Sequence, residues 1–223
     1  MRSTLLETQW ALFDQGEYGQ AYDQTHALVL RLPLAERRDA HRLLGMARWR
    51  EGQYLEAVHW FREVCEGSDV ADDWCHLAMV AVMNKDLPLA AEAMEQVRFC
   101  HAASRHSQRP GLYMHLYWYA CTLLEGGQHA AVPPLLDELA QAYRWLRQTD
   151  SAFLFAQGMP FLSSVLTLAL QCFRAQESHA AGVAWLEALA TGLDGAGQRQ
   201  VGEAMHDLVQ KDGTRPHPSP PFS

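Results

Sequence analysis

The chain has 223 residues, 48% of them hydrophobic and 20% charged, a composition that suits a folded globular protein and excludes an intrinsically disordered one. Its formal net charge of −8 argues against nucleic acid and against an anionic membrane surface, both of which select a concentrated basic face. No run approaches 18 uncharged apolar residues, Glu7 and Gln9 interrupt the apolar character of a signal peptide, and five cysteines without C-x-x-C spacing fit a reduced, cytoplasmic setting.

From the N-terminus, Leu6, Trp10 and Phe13 fall at helical spacing. Gly16-Glu17-Tyr18-Gly19-Gln20-Ala21 then marks a turn, and it recurs 36 residues later as Gly52-Gln53-Tyr54-Leu55-Glu56-Ala57. Each copy sits between two apolar-periodic segments, so the spacing predicts helical hairpins over residues 3–33 and 39–67. Glycine tolerates the turn, tyrosine packs the corner, and alanine lets the second helix approach the first. A third hairpin, residues 71–104, lacks the turn glycine but keeps the helical pattern. Trp74, Leu77, Ala78 and Ala81 define one face, Asn84-Lys85-Asp86 makes the turn, and Pro88 fits a first helical turn. Ala90, Met94 and Val97 then repeat the spacing of Ala57, Phe61 and Val64. Residues 112–148, with Gly126-Gly127 at the turn, read as a fourth hairpin, and 157–192 as a fifth. Residues 195–211 read as a capping helix, and 213–223, with Pro216, Pro218, Pro220 and Pro221, as a flexible tail dispensable for folding.

Leu44-Gly45, Gly52, Tyr54, Ala57 and Phe61 in one unit, and Trp74, Leu77, Ala78, Ala90 and Met94 in the next, resemble the tetratricopeptide repeat. The likeness covers about residues 3–192 and is tightest over 16–97. It implies an all-α superhelix of about five hairpins plus a C-terminal cap, forming one repeat domain over residues 1–212. Gly45 gives the likeness a physical basis, because a mid-helix glycine costs about 1 kcal/mol against alanine and calls for a close helix–helix approach.

Catalytic chemistry finds little footing. Cys75-His76 and Cys100-His101 are adjacent pairs, and neighbours on a helix point about 100° apart, which suits neither a nucleophile–base pair nor a ligand set. His101 and His106 supply only half of a zinc pattern. No phosphate loop, nucleophile elbow or H-E-x-x-H occurs. The expectation is a protein with no catalytic residues, metal or cofactor.

Once the packing faces are assigned, the inner helices keep a second stripe. It comprises Trp10 and Phe13, then Arg42, Met46, Trp49 and Arg50, then Met79 and Met83, and finally Met114 and Tyr117. Helices that are apolar all round are also what a buried core contains, so these stripes read either as core or as an exposed surface. The family resemblance implies that they line a concave groove. A Met- and aromatic-rich groove would bind an apolar or amphipathic segment of a protein or peptide partner, or a second copy of the chain. The alternative is a regulatory sensor holding a small ligand there.

Overall fold

The computed structural model of the protein describes residues 3–104 and 110–210. Among these residues the regular structure is entirely helical. The chain groups into two compact units that divide after Ser104. Each unit holds six α-helices among the described residues. His106 and the residues of the expected tail lie outside them.

The first unit holds α1 (Glu7–Asp14), α2 (Tyr18–Leu28), α3 (Leu34–Arg50), α4 (Tyr54–Cys65), α5 (Ala71–Met83) and α6 (Leu87–Ala103). Each helix packs on its neighbour in the chain, as local apolar periodicity dictates. Gly45 sits where the sequence argument requires a close approach. A Cβ placed there would lie 2.9 Å from Cε2 of Phe61, a buried α4 side chain.

The second unit holds α7 (Leu112–Glu125), α8 (Pro133–Leu146), α9 (Ser151–Ala156), α10 (Leu162–Ala175), α11 (His179–Ala190) and α12 (Gly195–Val209). Here α10 is the hub, touching α7, α8, α11 and α12. The short α9 is an element the sequence reading lacks. The Asp150 carboxylate accepts from the Phe153 N–H and caps it.

One turn geometry recurs through both units. Gly16, Gly52, Lys85, Gly127 and Glu177 all take left-handed φ, between 52° and 85°. At each, this residue's N–H donates to the carbonyl three residues back, and the next N–H donates to the carbonyl five back, as in Gly52 to Trp49 and Gln53 to Arg48. This is the Schellman closure, which satisfies carbonyls left over at a helix end. The third and fifth turns lack glycine yet close in the same way.

Candidate functional site

The structure redistributes the residues of the sequence-derived stripe. Trp10 and Phe13 are core side chains, in one cluster with Leu6, Ala21, Leu43 and Ala47, and Met46 packs against that cluster. Met79 is 1% exposed and Leu77, Ala78 and Val80 around it are equally buried. Trp10, Phe13 and Met79 are therefore interior residues, not lining of an open groove, and Met46 is half-buried. The reason is that α3 and α5 are enclosed on more than one side, so both of their apolar stripes find packing partners.

Arg42 is likewise committed internally. Its Nη1 donates to Asp39 Oδ1 at 3.1 Å, while Nε and Nη2 donate to Asp73 Oδ1 at 3.0 and 2.7 Å. Asp39 also accepts from the Trp10 indole at 3.0 Å and from the Ser3 backbone N–H. Asp73 accepts from the Ser68 hydroxyl at 2.8 Å. Two buried carboxylates and one guanidinium thus tie the segment before α1 to α3 and α5, which is how buried charge is tolerated.

Of the remaining stripe in the first unit, Arg50 is exposed, while Trp49 and Met83 are half-buried. The Trp49 ring meets His76 edge-on at 6.1 Å, and His76 stacks on Phe61 at 5.5 Å. Burial lowers the His76 pKa, opposed by the charges of Asp72 and Asp73. Trp74, read as a packing residue, is only half-buried, and its indole N–H braces the turn before α5 by donating to the Ser68 carbonyl at 3.0 Å.

In the second unit Met114 and Tyr117 are half-buried. Burial raises the Tyr117 pKa, and its hydroxyl engages Cys121 and Ser164, so this phenol is held within the unit. All five cysteines are thiols. Burial pushes Cys65 and Cys75 far above the usual range and Cys121 up to about 11, which disfavours the thiolate a nucleophile needs. Among the described residues, no three His, Cys, Asp or Glu side chains come together to hold a metal ion. No helix among them is long and apolar enough to cross a membrane.

A different surface stands out. The stripe of α8 buries Leu135, Leu136, Leu139, Ala140 and Tyr143. Glu138, Gln141, Ala142 and Trp145 fall beside it at helical spacing, and Trp145 is 82% exposed. With Tyr113 of α7 and Met159 they border a concavity of about 400 Å³. Its far wall is fixed by local backbone chemistry. The Tyr143 hydroxyl donates to the Pro160 carbonyl, pinning the segment after α9. Gly158 takes φ +67° and lies against Gly111, where a Cβ would sit 2.9 Å from the Gly158 oxygen. The sequence held a signal for this site, because Trp145 is an aromatic residue off the apolar stripe of an otherwise regular amphipathic helix.

A second aromatic group lies on the first unit. Trp60 of α4 is ringed by His59, His41 and His26 at 4.9, 5.4 and 5.9 Å and by Tyr22 at 6.5 Å. Burial lowers the pKa of His41, as do neighbouring His59 and Arg37, while Glu63 raises it.

Comparison with protein-family models, with curated proteins and with solved structures finds no match to this chain.

Proposed function

We propose that this protein is a non-catalytic, tetratricopeptide-like interaction module, built of about five helical hairpins and a cap, that binds an apolar or amphipathic polypeptide segment. One observation carries the reading: a largely exposed tryptophan, Trp145, which with Tyr113 borders a concavity between helices. Trp and Tyr are among the side chains that most often anchor interfaces, and here the two stand together at the border of one concavity. The concavity offers aromatic faces flanked by Gln141, Gln157 and Glu138, a mixture suited to a backbone with apolar side chains. Buried thiols and the absence of a nucleophile motif favour binding over chemistry.

The test is quantitative affinity capture from the native cells, comparing the wild-type chain with Trp145→Ala and with Leu55→Ala, another exposed apolar residue. The reading expects a polypeptide retained by wild type and Leu55→Ala and lost with Trp145→Ala. Identical captures from all three would remove it.

A further inference from the structure

The bend between α2 and α3 carries two leucines that the first unit leaves uncovered. Leu30, in the short turn Val29–Arg31, and Leu34, which opens α3, are each 81% exposed. Between them Leu32 packs against the core cluster of Leu6, Trp10 and Phe13, and Pro33 fixes the entry into α3. Arg37 braces the bend from within, donating from Nε to the Leu32 carbonyl and from Nη2 to the Leu30 carbonyl, both at 3.2 Å. The two leucines are thus carried on a held backbone, which lowers the ordering cost of docking them. Arg31 lies between them and is itself exposed.

Beside this bend is a concavity of about 440 Å³. Trp74 and Leu77 of α5 and Leu89 of α6 give it an apolar lining, and Arg62, Glu66 and Glu92 stand at its border as exposed charges. Arg38, one turn after Leu34 on the same face of α3, donates to the Glu66 carbonyl at 3.3 Å. The leucines and the concavity therefore lie side by side on one unit. Their charges are opposite. Arg31, Arg37 and Arg38 outnumber Glu36 at the bend, and Glu66 and Glu92 outnumber Arg62 at the concavity. Among the described residues, the side chains of Arg31, Glu66 and Glu92 enter no ion pair.

We propose that the chain forms a two-fold dimer in which Leu30 and Leu34 of each copy enter the concavity at Trp74 of the other, with Arg31 set against the other copy's Glu66 and Glu92. A two-fold contact needs one surface that carries both halves of the match, and the Arg38–Glu66 contact joins those halves. Each contact is then made twice, so the leucines of both copies leave water together, and the charges at the border fix the register. The same charges oppose the simplest rival, bend against bend, which would bring Arg31 up to its own counterpart. The inference does not draw on the reading of the concavity at Trp145.

Sedimentation equilibrium of the full chain over about 1–300 µM tests the proposal, and a monomer–dimer equilibrium is expected in that range. Leu34→Glu and, separately, Leu30→Glu should each raise the dimer dissociation constant about tenfold or more, with the helical circular dichroism spectrum unchanged. Arg31→Glu should weaken the dimer, as should Glu66→Arg combined with Glu92→Arg. All three charge reversals in one chain should restore it. A chain that stays monomeric over the range overturns the proposal, as does a dimer that neither leucine variant weakens. Failure of the triple reversal to restore association overturns the assigned register. An open series of larger species overturns the two-fold arrangement. Loss of the dimer in Trp145→Ala would move the contact to the other concavity and overturn the assignment as well.

Discussion

The Arg42 guanidinium reaches from α3 to the carboxylate of Asp73 on α5, donating to one oxygen from both Nε and Nη2 at 3.0 and 2.7 Å. Asp73 is 1% exposed, so this contact compensates a charge that water does not reach. Replacing Arg42 by alanine should therefore cost about 3 kcal/mol, the scale for breaking one side of a buried ion pair. Arg42→Lys should recover only part of that, because an ammonium lacks the fork that serves Asp39 and Asp73 together. Chemical denaturation of the three proteins measures both effects. Equal stability of Arg42→Ala and wild type would mean that Asp73 is satisfied in another way.

The recurring turn makes opposite predictions at two equivalent positions. Gly52 has φ +73° and open space where a methyl group would sit, so Gly52→Ala incurs only the left-handed backbone penalty, about 1–2 kcal/mol. Lys85 already bears that penalty at φ 64°, so Lys85→Gly should be neutral or stabilising by up to about 1 kcal/mol after the extra freedom of the unfolded glycine is counted. Thermal denaturation of the pair checks this, and destabilisation by Lys85→Gly would contradict the shared geometry.

The same turns show how much of the fold was legible. Helical periodicity and the glycines at 16 and 52 placed the first hairpins, and Gly45 signalled a close helix approach, though not that Phe61 would make it. Lys85 and Glu177 close the same motif without the residue that advertises it, and α9 is too short for periodicity to mark. The site was less legible. Met79 and Trp49 look alike in a helical pattern, and only the packing of neighbouring helices decides that Met79 is enclosed while Trp49 stays half-buried. Trp145 could have been found from its place off the α8 stripe. That its indole borders a concavity depends on Gly111, Gly158 and Tyr143, whose contacts join residues far apart in sequence.

Burial of Met79 also reverses an expectation drawn from the stripe. A Met79→Glu substitution places a carboxylate inside the packed interior of α5 and removes a well-packed side chain. It should cost about 4 kcal/mol or more, enough to unfold a marginal domain. Trp145→Glu should alter stability by less than about 0.5 kcal/mol, as expected for an exposed position. Circular dichroism melts distinguish the two, and a folded Met79→Glu protein would restore the groove interpretation of α5.

Acid should destabilise the first unit. Burial lowers the pKa of His41 and of His76 from the ordinary value of about 6.5. Below that value the unfolded chain binds protons that the native state resists, so stability is unaffected by these groups well above pH 6.5 and falls as pH drops through it. His41 faces His59 and Glu63 from α4, Arg37 from its own helix, and the Trp60 cluster that includes His26 of α2. Melting temperature should therefore decline between about pH 7 and pH 5. His41→Gln should flatten part of that decline, and an unchanged slope in the variant would exclude His41 as a contributor.

Site-specific photo-crosslinking in the native cells addresses the proposed polypeptide-binding role most directly. A photoreactive phenylalanine analogue is placed at Trp145 in one protein and at Leu55 in another, both positions being widely exposed. The account predicts a defined polypeptide product from position 145 and no such product from position 55. The same products from both positions, or none from position 145, would contradict it.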